Sequence, residues 1–155
     1  MKIQTTRFGE VDVDSNRVIR FPKGLLGFPK YQEYVLIESG AKSRADEESN
    51  FWWLQSTDLP ELAFVVTDPT LFVSTYKVPL HPEQMLGLGL PSIADAQVFV
   101  IVNKRGDVLT GNLQGPLVIN VGSRCGEQLV LSDRRFTTRV PLVELHQEAP
   151  AAMSA

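Results

Sequence analysis

The sequence predicts an all-β protein: a single-domain, compact, β-barrel-like fold of short antiparallel strands with one or two short helical turns. Three observations carry that reading. At least ten short β-rich runs are separated by turn residues every few positions, which favours a sandwich or closed barrel over an α/β layout. The stretch Thr110–Val121 (T-G-N-L-Q-G-P-L-V-I-N-V) holds Leu117, Val118, Ile119 and Val121, apolar and mostly β-branched, as a strand buried on at least one face requires. And 155 residues, 43% of them hydrophobic, suffice for one domain with a real core and no staples.

Each element follows from local chemistry. Ile3–Thr6 and Glu10–Val13 alternate around Arg7-Phe8-Gly9, a hairpin turn in which Gly9 supplies a positive φ. Asp14-Ser15-Asn16 turns the chain into Val18–Phe21. Pro22–Pro29 is dense in proline and glycine yet apolar between them, so it reads as an irregular segment pinned onto the core. Tyr34–Glu38 is a strand, and polar Ser39–Asn50 a surface loop. Phe51–Ser56 and Ala63–Thr67 pair through Thr57–Glu61. Leu71–Tyr76 reads as a helical turn giving way to a short strand near Lys77-Val78. His81–Leu86 makes a short helix with Pro82 at its first position, stopped by Gly87 and Gly89. Ala96–Val102 is the strongest strand, returned by Lys104–Asp107 into Val108–Thr110. Gly115 and Pro116 interrupt the central stretch, and Gln128–Leu131 and Thr138–Val140 complete the order. The domain spans 1–146, with a fraying tail at 147–155.

Composition narrows the function classes. A net charge of −3 argues against a large nucleic-acid surface, which needs clustered Lys and Arg. One cysteine, Cys125, rules out an internal disulfide and fits a reducing cytoplasm. The N-terminus lacks an apolar signal core, and no apolar run approaches the roughly 18–20 residues of a membrane span.

Candidate chemistry is sparse. His81 and His146, the two histidines, have no metal-ligand spacing to a partner and read as solvated surface groups. Cys125 stands beside Arg124, which would favour a thiolate, but no histidine is near it in sequence; it reads as an inert thiol in a turn. Asp12 and Asp14 are explained by turn formation, and Arg105-Gly106-Asp107 by a hairpin. Lys104, Arg105, Arg124, Arg134, Arg135 and Arg139 are interspersed with acids as a mixed surface. No catalytic, cofactor or metal residue emerges. Trp52 and Trp53 must point to opposite faces of one strand; Gln55, polar and on the Trp53 face, assigns Trp52 to the core and Trp53 to a binding surface. Phe72 and Tyr76, at helical spacing, would share a face; they read first as ordinary core residues, with an exposed protein-binding patch as the alternative. Asp46, Glu47 and Glu48 cluster with Glu38 around one acidic loop.

Beyond this, the residues resemble a known family. Phe21–Phe28 with Tyr34 and Leu36, then Phe51–Ser56, then Phe64–Pro69 with Phe72 and Tyr76 are similar, in that order, to the flagellar assembly factor FliW family. Thr110, Asn112-Leu113, Pro116 and Ile119-Asn120 resemble its T-x-N-L-x-A-P-x-x-I-N pattern, with Gly115 in place of the usual alanine and Phe136 where tyrosine is common. The resemblance implies a non-enzymatic cytoplasmic protein, monomeric when unbound and without cofactor. It implies two partners: the C-terminal segment of flagellin and the RNA-binding translational repressor CsrA, with no direct nucleic-acid or membrane contact. The rival reading from another class is a small-molecule- or flavin-binding barrel. Direct RNA binding by an OB-like barrel lacks the basic and aromatic stripe it needs.

Overall fold

In the computed structural model, residues 1–38 and 50–144 are described. They contain eleven strands: β1 (Lys2–Thr5), β2 (Gly9–Asp12), β3 (Ile19–Arg20), β4 (Glu33–Glu38), β5 (Phe51–Ser56), β6 (Ala63–Thr67), β7 (Ala96–Arg105), β8 (Val108–Gly111), β9 (Leu117–Asn120), β10 (Cys125–Gln128) and β11 (Val140–Glu144). The one α-helix among them, α1, is Pro82–Leu88. β1 and β2 form their own antiparallel ribbon, turned at Gly9 with φ 69°.

The other nine strands make one sheet that curls into a partial ring. Pairing runs β7-β6-β5-β4-β3-β10-β9 and returns to β7, so the all-β, barrel-like expectation holds. β7 makes this possible by its length of 10 residues. Along one edge its first half, Ala96–Phe99, pairs with β9 while its last residues, Val102–Arg105, pair with β8. β8 and β9 are thus one returning strand interrupted by Asn112–Pro116, the Gly-Pro break seen in the sequence. β11 extends the sheet beyond β8. Closure at the seam is thin and parallel: β10 meets β3 at a single pair, Cys125 with Arg20, beside the Arg20 N–H bond to the Arg124 carbonyl at 2.8 Å.

Side-chain alternation across the ring yields two apolar layers. Inside lie Ile19, Phe21, Tyr34, Leu54, Val66, Phe99, Leu117 and Ile119. Outside, Val100 and Val118 are covered by Leu88 at the end of α1 and by irregular chain carrying Tyr76, Leu90, Leu129, Leu131 and Phe136. β9 is consequently buried on both faces. Gly126 is demanded by the inner layer, since a Cβ there would lie 2.6 Å from the Phe21 ring.

Four local expectations change. The Leu71–Tyr76 turn is instead a 3-10 turn at Pro69–Leu71, because the Asp68 carboxylate accepts the Thr70 N–H at 2.9 Å and fixes the start earlier. No strand forms at Lys77-Val78, where Val78 is buried as part of the outer cover. The strand expected at Gln128–Leu131 is Cys125–Gln128, as Leu129 and Leu131 leave the ladder to fill the outer layer. The strand expected at Thr138–Val140 begins only at Val140, because Thr137 spends its carbonyl on the Leu113 and Gln114 N–H groups. The helix is confirmed, with Pro82 first and Gly89 closing it at φ 68°. The tail at 147–155 lies outside the described residues.

Candidate functional site

The groups that could do chemistry stay apart. Among the described residues no cluster of three or more His, Cys, Asp or Glu could hold a metal ion. His81 is exposed at the start of α1, where its backbone N–H bonds Gln84 Oε1 at 2.9 Å. Cys125 is a half-buried free thiol on β10, in a strand where a turn was expected. No helix among the described residues is long and apolar enough to cross a membrane.

The tryptophans divide as their strand requires. Trp52 packs against the inner core, edge-on to Phe99 with centroids 5.6 Å apart. Trp53 faces outward between Ile37 and Val65 on the neighbouring strands. It is not bare: the β1–β2 turn lies over it, with the Arg7 guanidinium 4.1 Å from the ring centroid and Phe8 edge-on at 6.2 Å. The hairpin is pinned there by the Thr6 N–H bond to the Pro60 carbonyl at 2.9 Å. Both indoles are half-buried.

Gln55 corrects the expectation built on it. It shares the Trp53 face, but that face does not open to water; Gln55 is 0% exposed. The β5–β6 connection folds back over it, and Nε2 donates to the carbonyls of Ser56, Pro60 and Leu62 at 3.0, 3.1 and 3.2 Å. A polar residue in a strand here marks a buried backbone clamp, not a surface. For Tyr76 the structure corrects its assignment to a binding surface and bears out the core reading. It is 4% exposed, stacks edge-on to Phe136 at 4.8 Å, and donates its hydroxyl to the Leu113 carbonyl at 2.6 Å. Burial pushes its pKa up. Phe72 is half-buried against Phe51 at 5.9 Å, so the two rings do not share a face. Asp46, Glu47, Glu48 and His146 lie outside the described residues.

Other exposed apolar groups went unnoticed in the sequence. Leu26 is 57% and Val130 66% exposed. Leu26 is held at the tip of a tight turn, its N–H bonded to Gln128 Oε1 at 2.8 Å, while Gln128 Nε2 donates to the Gly115 carbonyl at 3.0 Å. The usable signals were Gly24 and Gly27 bracketing Leu25-Leu26, and the alternation that sends Val130 outward between buried Leu129 and Leu131. The accessible apolar groups thus include Trp53 with its Arg7–Phe8 cover, Phe72, Leu26, Val130 and, most exposed at 83%, Leu86: contact chemistry suited to a protein partner.

Known proteins resemble this chain over nearly all of its length. The family model described as FliW protein matches residues 2–142. A flagellar assembly factor FliW of Leptospira biflexa is 40% identical, the match covering 94% of each chain. Another, from Magnetococcus marinus, is 36% identical over 92% of this chain and 85% of its own. A solved crystal structure of the flagellar assembly factor FliW superposes with a TM-score of 0.79 at 31% identity, covering 92% of this chain and 97% of that one. A sequence match of this extent, together with the same curled sheet, leads to one conclusion: the chain belongs to the FliW family of flagellar assembly factors.

Proposed function

We propose that this chain is a non-enzymatic cytoplasmic regulator that binds the C-terminal segment of flagellin and, when flagellin is scarce, antagonises the repressor CsrA. Flagellin synthesis is thereby coupled to assembly. The observation that carries the reading is the match to flagellar assembly factors across residues 2–142, with no large part of the chain left to another activity. The surface chemistry supports it, since half-buried Trp53 and Phe72 and exposed Leu26 suit docking to apolar side chains. The net charge of −3 supports a basic, RNA-binding partner. Free protein is monomeric in this reading.

The test is direct. Purified chain and its own flagellin are mixed at tens of micromolar, on the order of −6 kcal/mol, and followed by calorimetry and co-elution. Binding is expected, and flagellin should displace CsrA from the chain. Absence of both signals sinks the reading. Charge reversal at Asp46, Glu47 and Glu48 should slow CsrA association, as should added salt. An association rate indifferent to both removes that loop from the mechanism but leaves the partner.

A further inference from the structure

A cavity of about 270 Å³ opens between α1 and β10, beside the chain at Pro22-Lys23. Its walls follow from alternation on β10. Gly126 faces the ring interior, where a Cβ would meet the Phe21 ring, so Cys125 and Glu127 project from the opposite, outer face. α1 lies against that face and contributes Glu83, Gln84, Gly87 and Leu88. Burial orders these walls by depth. Leu88 is buried at the floor, Cys125 and Glu127 are half-buried, and Glu83 and Lys23 stand exposed at the mouth. The cavity is thus apolar below and charged above.

The charges at the mouth are unequally satisfied. Lys23 Nζ donates to Glu127 Oε2 at 3.3 Å, and Glu127 Oε1 has no partner among the described residues. The Glu83 carboxylate has neither a hydrogen bond nor an ion pair among them. Two carboxylates against one ammonium leave the mouth with an excess of negative charge. Each side also carries an exposed leucine. Leu86, 83% exposed, is the neighbour of Gly87 on α1; Leu26, 57% exposed, is bonded through its N–H to Gln128, next to Glu127.

We propose that this cavity receives a basic side chain, an arginine above all, from a segment of a protein partner. An aliphatic stem suits the Leu88 floor, and a guanidinium at its end can pair with the free Glu83 and Glu127 oxygens. Size favours a single side chain: the volume falls just short of the roughly 300–1,000 Å³ of sites for whole small ligands. Carboxylates at the mouth repel a phosphate backbone, so RNA is disfavoured. The exposed leucines offer contact to apolar neighbours on the same segment. The site rests on the reading above for its partner, a basic protein, but its test uses neither flagellin nor CsrA.

Cys125, the chain's one cysteine, is a free thiol in the cavity wall and serves as the reporter. The full chain is titrated with N-acetyl-leucyl-arginyl-leucinamide and with its citrulline counterpart, which keeps the shape and loses the charge. Iodoacetamide alkylation of Cys125 is timed by mass spectrometry, and the amide resonances of Gly87 and Gly126 are followed in parallel. The arginine peptide should slow alkylation and shift both resonances, and the citrulline peptide should bind at least about tenfold more weakly. Glu83→Gln/Glu127→Gln should weaken the arginine peptide by a similar factor. Both side chains reach solvent, so the fold should persist, as circular dichroism will report. Lys23→Gln removes the competing ammonium and should tighten binding. The proposal is overturned by any of four results: neither protection nor shift with the arginine peptide, equal binding of the citrulline peptide, binding unchanged in the double variant, or weaker binding in Lys23→Gln.

Discussion

The inner and outer faces of the ring are both apolar, but they are sealed by different means. Inside, strand residues meet strand residues, and packing follows from alternation alone: Leu54, Val66, Phe99 and Leu117 arrive from four strands on one side of the sheet. Outside, the cover is the β1–β2 hairpin, the short helix α1 and a set of coils. These are fixed one by one by side chains bonded to backbone. Tyr76 holds Leu113, and Asn120 Nδ2 holds the carbonyls of Leu88 and Gly89 at 2.8 and 3.2 Å. The inner layer thus needs only apolar residues of suitable size, whereas the outer layer needs particular polar atoms. Substitutions that preserve volume but delete a hydroxyl should separate them.

The largest contrast is expected within β5, whose two tryptophans face the two layers. Trp52→Ala removes a ring from the inner core and should cost about 3 kcal/mol, the low end for a Trp because this one is half-buried. Trp53→Ala removes a ring over which the Arg7–Phe8 turn lies and should cost less than about 2 kcal/mol, since the hairpin can settle into the space. Urea titration of both variants decides it. Equal losses would show that the hairpin seals its face as tightly as the ring seals its interior.

The tyrosines give a finer test. Tyr76→Phe keeps the ring against Phe136 but strands the buried Leu113 carbonyl, an expected loss of about 1–3 kcal/mol. Tyr34 is equally buried at 0% exposed, yet its hydroxyl has no partner. Tyr34→Phe should therefore be neutral or slightly stabilising. If the two variants behave alike, the distinction between patterned and clamped packing fails.

A pH profile probes Tyr34 from another side. Burial, with a lesser contribution from Tyr31, pushes the Tyr34 hydroxyl up to about 12 from 10.0. A raised pKa means that the folded chain keeps its proton where the unfolded chain loses it. The contribution is complete below pH 10.0 and is lost as pH rises toward about 12. Stability measured across that window should decline less steeply in Tyr34→Phe than in the parent chain. An unchanged slope would remove Tyr34 from the alkaline transition.

Legibility in the sequence followed the same division. β5 and β6 stand at the residues their composition predicted and β4 begins one residue earlier, because alternation and turn chemistry agree there. The cover was harder to read. Leu129 and Leu131 carry strand-like alternation, but they fill a layer in place of continuing a ladder. Lys77-Val78 has no strand neighbour to bond, which local sequence cannot reveal. Gln55 misled for a physical reason: polarity does not distinguish a side chain facing water from one facing three backbone carbonyls. The helical spacing of Phe72 and Tyr76 misled because the 3-10 turn capped by Asp68 ends at Leu71, before either ring.

The seam between β3 and β10 also sets the order in which the molecule can assemble. Its partners are far apart in the chain; the Lys23–Glu127 pair beside it spans 104 residues. β3 leaves the ribosome long before β10 exists, so one edge of the nascent sheet stays open through most of synthesis. Hairpins such as β4–β5–β6 need only short loops to close, whereas the seam must wait for almost everything else. Contacts of this separation slow folding, and a single parallel residue pair offers little to hold them early. Closure of the ring is accordingly a late step, and a substitution confined to the seam should change the unfolding rate far more than the folding rate.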